Sequence, residues 1–542
     1  MRRSINALIL EHLYFLRFEV ENHCELVEVY LTRPNEATAQ RLINRKGYRK
    51  TLQEKVEVAV AMDVQKSRVD SQGFQQSKSL ERLARLLDRL GQACLEFTHI
   101  EALKSSPEKQ FESDARLIRR IRKSLALVLI NPADTNIRQG LKIGHRATRL
   151  MTSLREMDCQ EGSTPTTQSN LRHVLSFQTG RMIHLLTEIA DALLAANFGP
   201  AVRMQNYKQL KSAAHTFTAD NEAFGVQRLA LTRSGSTIAA LKAEHSTSSE
   251  VMAVYKEGQA HKVLEEISGV DRWKKVYPKV APSVISHHVG HEGEMGSMVI
   301  EHLPGRTLES LLLNSQWDSA SLLVAKLNKT LSKIWKSSLT RERAQPGYMQ
   351  QLSRRMPETQ QTHPTLFSEG QTICGLSRPD FAQLIEQVEN LEKQVAPPFS
   401  VLIHGDFNVD NLLYDELQNH IYFIDLHRTS YSDYVQDISV LMVSIYRLPV
   451  MDSRARTEMM SLIRQLYRFA RRFAKTSNDK FFDVRLAIAL ARSFATSTRF
   501  IYDKRFAKKL AFRATYLLEA VTLLNPEKPE KYSLPLEDIF SD

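Results

Sequence analysis

A chain of 542 residues, 42% of them apolar, is long enough for two or three domains, each with its own core. No apolar run approaches the roughly 20 residues needed to cross a bilayer, which excludes membrane insertion. The 73 Lys and Arg outnumber the 61 Asp and Glu, leaving a formal charge of +12. Cys24, Cys94, Cys159 and Cys374 are far apart and form no CxxC pair, which excludes a zinc ribbon or a disulfide scaffold. Reduced thiols and a cytoplasmic location are expected. Met1-Arg2-Arg3 followed by Ile5 to Leu10 starts like a signal peptide, but Glu11, Arg17, Glu19 and Glu21 interrupt it and no small-residue cleavage site follows.

Residues 1–199 read as helix throughout. Breaks are expected at Arg33-Pro34-Asn35, Ser71-Gln72-Gly73, Ser105-Ser106-Pro107, Asn131-Pro132-Ala133 and the polar stretch from Cys159 to Ser169. Six segments with helical spacing lie between them. Leu80, Leu83, Leu87 and Leu90 form one apolar stripe with Arg82, Arg85 and Asp88 off it, and Ile183, Leu186, Ala190 and Leu193 form another. Such stripes bury against one another, so an antiparallel helical bundle is expected. Its six helices resemble the PhoU family of phosphate-signalling regulators in architecture. Glu19, Glu21, Glu25 and Glu28 cluster on the first helix, but the acid-xxx-Asp repeat of that family's metal sites is missing, so no metal site is carried over. A generic two-bundle interaction domain gives the same pattern, and homodimerisation through the bundle is an open role.

After Pro200 the pattern changes. Three strands are predicted, Val226 to Thr232, Thr237 to Ala243 and Glu250 to Lys256, then a helix from His261 to Lys275 and a strand from Ser297 to His302. Most of the remainder reads as helix. The expected fold is α+β: a small sheet-bearing lobe over residues 200–305 and a larger helical lobe over 306–542.

One stretch carries the chemistry. Val401-Leu402-Ile403-His404-Gly405-Asp406-Phe407-Asn408-Val409-Asp410-Asn411-Leu412-Leu413-Tyr414 is followed by a polar turn, Asp415 to His420, and then Ile421-Tyr422-Phe423-Ile424-Asp425. Two apolar runs around a polar turn predict a hairpin. A turn centred near Leu417 and Gln418 sets Asn411 almost opposite Asp425, with Asp406 five residues upstream of Asn411. Two oxygen ligands then meet at the open end of the hairpin, with a further carboxylate above them. Phosphoryl transfer needs that set: hard oxygen donors for magnesium and a separate carboxylate for the acceptor hydroxyl.

The order His-x-Asp, four residues, Asn, hairpin, Asp resembles the aminoglycoside phosphotransferase and choline kinase superfamily, whose catalytic loop is written His-Gly-Asp. The resemblance implies a bilobal, protein-kinase-like fold and an ATP- and magnesium-dependent kinase. It implies Asp406 as the catalytic base, His404 as a structural member of the catalytic loop, Asn411 and Asp425 as magnesium (Mg2+) ligands, and Asp437 as a brace behind the loop. On the nucleotide side, Lys256 ends a strand resembling the family's third strand and would meet the α- and β-phosphates. Its acidic partner would be Glu265 or Glu266; Glu266 is favoured because Val270 and Trp273 share its helix face. Ser234, Gly235 and Ser236 join the first two strands and would cover the phosphates, although a plain hairpin turn has the same composition. Ile300-Glu301-His302 would be the interlobe hinge, meeting adenine through its backbone; Ile300 and His302 are its candidates.

Between Ile438 and Asn525, seventeen Lys and Arg face six acids. That surplus reads either as solvated helix faces or as a surface for an anionic acceptor or partner. Arg428 could approach a phosphate or an acidic acceptor, but local pairing, with Asp433, is the favoured reading. Tyr348, Met349, Arg354 and Arg355 open a polar insertion that carries no readable motif. The expected partner is a small molecule offering a hydroxyl, neutral or anionic. Nucleic acid is not expected, because no recognised module accompanies the basic residues. The competing function is a nucleotide-sensing regulator, or pseudokinase, linked to phosphate signalling.

Overall fold

The computed structural model describes residues 7–66, 71–104, 110–128, 135–160, 167–198, 204, 207, 224–231, 237–243, 251–289, 295–367, 372–373, 376–377, 379–525 and 527–541. The chain divides into one unit of Met1–Gly258 with Ser297–Val299 and a second of Gln259–Gly296 with Ile300–Asp542. Each has its own hydrophobic core. The architecture is α+β: an all-helical front region, then small antiparallel sheets and a helix-rich remainder. Among the described residues no helix is long and apolar enough to cross a membrane.

The front region holds α1 (Ala7–Thr32), α2 (Glu36–Asn44), α3 (Lys46–Lys66), α4 (Ser71–Glu96), the short α5 (Glu101–Lys104), α6 (Glu112–Leu125), α7 (Thr135–Gln160) and α8 (Thr167–Phe198). The break at Arg33-Pro34-Asn35 has its cause in the chain: Asn35 caps α2 through its side chain, accepting from the Thr38 N–H. Both apolar stripes read from the sequence are buried, on α4 and α8, which pack together. The acids of α1 are taken up by arginines. Glu19 holds Arg45 through two hydrogen bonds, Glu21 pairs with Arg17, Glu25 with Arg122, and Glu28 with Arg119 and Arg122. This unit also carries β1 (Phe224–Leu231), β2 (Thr237–Ala243) and β3 (Val251–Gln259, to Gly258), paired antiparallel in that order. The phosphate-covering candidates Ser234, Gly235 and Ser236 lie outside the described residues.

The second unit opens with α9 (Ala260–Val276), followed by β4 (Val284–Val289), β5 (Met295–Glu301, of which Ser297–Val299 belong to the first unit) and β6 (Arg306–Thr307). Then come α10 (Leu308–Leu313), α11 (Trp317–Ser338), α12 (Tyr348–Thr362), β7 (Thr372–Ile373), β8 (Leu376–Ser377) and α13 (Phe381–Gln394). Strands β9 (Val401–Ile403), β10 (Leu412–Asp415), β11 (His420–Phe423) and β12 (Ser430–Ser432) carry the catalytic sequence. The chain finishes with α14 (Val435–Tyr446), α15 (Ser453–Thr476), α16 (Phe482–Ser497), α17 (Lys504–Thr522) and α18 (Leu536–Ile539). The supposed polar insertion is the helix α12. Tyr348, Met349 and Leu352 are buried on it, and the buried Glu392 carboxylate accepts from the Tyr348 and Met349 N–H groups at 2.6 and 3.1 Å. That carboxylate satisfies backbone donors a helix start leaves open.

Candidate active site

The hairpin folds in the register its turn dictates. Leu412 faces Phe423 and Leu413 faces Tyr422 across β10 and β11. The Ile424 N–H donates to the Asn411 carbonyl at 3.1 Å, so Asn411 and Asp425 flank the open end. Asn411 ends a 3-10 turn, Val409–Asn411, and is 8% exposed. Its Nδ2 donates to the Asp406 carbonyl at 2.8 Å, which ties the two residues together and leaves the amide oxygen for another partner. Asp425 holds a left-handed backbone, φ 64°, which short polar side chains tolerate best after glycine. His427 Nδ1 lies 3.2 Å from its Oδ1.

Asp406 follows β9, which pairs antiparallel with β12 so that Ile403 faces Ser430. This pairing brings Gly405 and Asp406 beside Arg428. Gly405 has φ 82°, and a methyl group there would overlap the Arg428 carbonyl, so only glycine fits. Asn408 Nδ2 donates to Asp406 Oδ1 at 2.8 Å, and Arg428 Nη1 lies 3.2 Å from Oδ2. The expected Arg428–Asp433 pair is therefore incorrect. Asp433 is fully buried with Arg485, 2.9 Å away, and Arg485 also holds Asp479 at 2.5 Å. The cause is topological: β12 leaves Arg428 beside β9, while Asp433 enters the core ahead of α14.

His404 is fully buried. Its Nε2 is 2.9 Å from the Ile424 carbonyl, and its ring meets Phe407 and Phe423. Asp437, on α14, accepts from the His404 N–H at 2.7 Å and the Gly405 N–H at 2.9 Å, suspending the loop from one carboxylate. Burial pushes the Asp437 carboxyl up to about 6, with Asp406 adding to the rise; the His404 ring and the two N–H donors oppose it. Helix α9 presses on the turn after Asp425. Trp273 Nε1 donates to Thr429 Oγ1 at 2.9 Å, Arg272 Nη1 to the Thr429 carbonyl at 3.0 Å, and Gly269 abuts the Leu426 carbonyl.

The nucleotide-side candidates are distributed over both units. Lys256 is half-buried on β3, opposite Ile238. On α9, Glu266 is buried and Glu265 exposed. Ile300 is buried at the end of β5 and His302 is half-buried just beyond it.

The model of the phosphotransferase enzyme family (APH) matches residues 250–472. Over those residues the chain is similar to that family. The phosphotransferase segment thus begins one residue before β3 and ends within α15, enclosing the hairpin, its flanking loops and the Asp437 brace. The chain is a kinase-like enzyme. The structure of aminoglycoside phosphotransferase APH(4)-Ia aligns with 58% of this chain and 98% of its own at 14% identity, TM-score 0.39. APH(3'')-Id from Streptomyces rimosus aligns with 48% and 95% at 16% identity, TM-score 0.32. No curated protein matches the chain.

The donor set of the phosphotransferase segment suits a hard cation. An amide oxygen on Asn411 and a carboxylate on Asp425 are the kind of ligands magnesium accepts, and it keeps waters and nucleotide phosphates for the rest of its shell. Among the described residues no three His, Cys, Asp or Glu gather as a cation cage.

Two features escaped the sequence. One is the Arg428–Asp406 pair; the other is Arg355, half-buried on α12 and close enough to Arg428 and Asp406 to share their field. Tyr348, Leu352, Arg355 and Thr359 recur at four, three and four residues, a single helix face that would have flagged α12 and its arginine.

Proposed function

We propose that this chain transfers the γ-phosphate of ATP to a hydroxyl of a small molecule, with magnesium as cofactor. The observation that supports the reading is the hydrogen bond from Asn411 Nδ2 to the Asp406 carbonyl, with the Ile424 N–H on the Asn411 carbonyl beside Asp425, which keeps the three residues near one hairpin end. Asp406 orients the acceptor hydroxyl and takes its proton as the oxygen bonds to the γ-phosphorus and the bond to the β–γ bridging oxygen breaks. Asn411 and Asp425 would hold magnesium, which when bound offsets charge on the transferring group. An entering hydroxyl competes with Arg428 for Asp406 Oδ2. Lys256 is the candidate for the α- and β-phosphates and Glu266 the candidate acid; the burial of Glu266, against an exposed Glu265, supports that choice between the two glutamates. The backbone at Ile300 and His302 meets adenine. The helical front region regulates or dimerises the enzyme, and the exposed Tyr14, Phe15 and Phe18 of α1 suit contact with a second copy.

The test is transfer from labelled ATP, with magnesium, to fractionated cell metabolites. Asp406→Asn should abolish transfer while AMP-PNP still binds. A parent protein that binds nucleotide yet labels no acceptor would favour the sensing regulator, and an Asp406→Asn variant as active as the parent would refute the assignment.

A further inference from the structure

One buried cation in the second unit has no anion of its own. Arg492, on α16, is 9% exposed, and among the described residues its Nε and Nη2 are buried without a hydrogen-bond partner. Arginine stays charged in a protein, so such a group is costly unless something supplies oxygen acceptors. The nearest defined neighbour is the Tyr348 ring, whose centroid lies 5.5 Å from the guanidinium carbon. A ring face attracts the cation but accepts none of its planar N–H bonds in the way a carboxylate does.

The surrounding carboxylates are committed elsewhere. Asp433 serves Arg485, the Tyr348 hydroxyl at 3.1 Å and the Val435 N–H at 3.2 Å. Asp406 is held by Arg428 and Asn408, and Glu358 by Arg499. Tyr348 is itself fastened at both ends, its N–H to Glu392 and its hydroxyl to Asp433, so the surface under Arg492 is rigid.

Arg492 belongs to a cluster that includes the proposed base. Burial lowers its proton affinity below the ordinary arginine value; Tyr348 and Asp406 act against that fall, and Arg355 and Arg428 add to it. Arg355 is lowered in the same way, by burial first and then by Arg499 and Arg428, with Glu358 and Asp406 opposing. Four arginines, Arg355, Arg428, Arg492 and Arg499, thus share one neighbourhood, and among the described residues Asp406 and Glu358 are the carboxylates that act on Arg355 there, and Asp406 on Arg492. Planar guanidinium forks match phosphate and carboxylate geometry, and a polycationic acceptor would meet like charge here.

We propose that the acceptor carries a phosphate or carboxylate group beside its reacting hydroxyl, and that Arg492, with Arg355 and Arg428, binds that group. The proposal rests on the kinase reading for the hydroxyl and on the unpartnered guanidinium for the anion.

The test titrates the full-length protein, loaded with AMP-PNP and magnesium, with inorganic phosphate and with acetate by calorimetry. Saturable binding of one of them is expected, and which one separates phosphate from carboxylate. Arg492→Met should weaken it at least about tenfold without lowering Tm, because the variant removes a buried charge that lacks a partner. Arg355→Met, on a half-buried position, repeats the measurement if Arg492→Met fails to fold. Binding absent below about 10 mM, or unchanged in the folded variants, overturns the proposal. AMP-PNP failing to bind counts against the kinase reading alone, and the anion titration is then read on the free protein. In parallel, turnover of ATP with glycerol, glycerate, glycerol 3-phosphate and 3-amino-1,2-propanediol is compared. A preference for the amine over both acids overturns the proposal as well.

Discussion

Replacing Asp437 with asparagine alters the one side chain from which the His404–Gly405 backbone hangs. The carboxylate accepts two N–H groups, at 2.7 and 2.9 Å. An amide has a single acceptor atom, so one N–H would face an NH2 group, a loss of roughly 1.5–3 kcal/mol for a hydrogen bond to a charged partner. The same change removes a buried charge. Burial holds the carboxyl at about 6 rather than 3.8, so the folded state keeps this proton more tightly than the unfolded chain does. A raised acid costs nothing below the unfolded value. Stability therefore falls as pH climbs from about 4 to about 6 and is level beyond, a difference of about 3 kcal/mol. The rise to about 6 is already net of the two N–H donors that oppose it, so at pH 7.5 Asp437→Asn should not lower Tm. Activity should not be spared: a loop shift of about 1 Å at Asp406 costs on the order of 100-fold in kcat. Below pH 6 the wild type takes up the proton and its own loop loosens, so kcat/KM should decline there. The measurement is a pH profile of both proteins alongside their Tm. An inflection near pH 6 that persists in Asp437→Asn, or a variant within threefold of wild-type kcat at pH 7.5, would refute this account.

Gly269→Ala forces the α9 backbone away from the Leu426 carbonyl; overpacking of this kind costs about 1–3 kcal/mol. Because that turn follows Asp425, a magnesium titration of ATP turnover should shift to higher concentration, and an unshifted midpoint would count against α9 as the element that sets the turn. Gly405→Ala combines positive φ with the Arg428 carbonyl, so a drop in kcat well beyond its drop in Tm is expected. Arg485→Met strands Asp433 and Asp479 in the core, and chemical denaturation should show a loss of roughly 3–5 kcal/mol. A loss below about 1 kcal/mol would mean the two carboxylates find other partners.

The hairpin register was readable because it depends on neighbours in sequence. A polar turn of known length joins two apolar runs, and pairing then follows by counting, as Leu412–Phe423 bears out. Helix stripes were readable for the same reason: a period of 3.6 places Leu80, Leu83, Leu87 and Leu90 on one side whatever lies opposite. Pairing between distant charges follows no such rule. Arg428 lies five residues before Asp433, yet it pairs with Asp406, 22 positions upstream, because β9 and β12 run side by side.

The basic stretch after Ile438 makes the same point. Its net charge is a property of the sequence alone, but its meaning is spatial. Arg485 is neutralised in the core, Arg456 and Arg513 are spent on the carbonyls of Tyr446, Ile539 and Ser541, and Arg464 pairs with Glu537. Arg468 and Arg472 instead line a cavity with Lys326, Lys329, Lys333 and Lys336, and Arg492 stays unmatched near Asp406. Composition and periodicity determined the helical front and the hairpin, since each depends on residues within one turn or one strand pair, while Asp406, Asn411 and Asp425 were named as candidates by the family resemblance of the stretch that carries them. Only the tertiary structure decided which arginines are balanced and which are left unmatched, because charge compensation depends on distances that no spacing along the chain records.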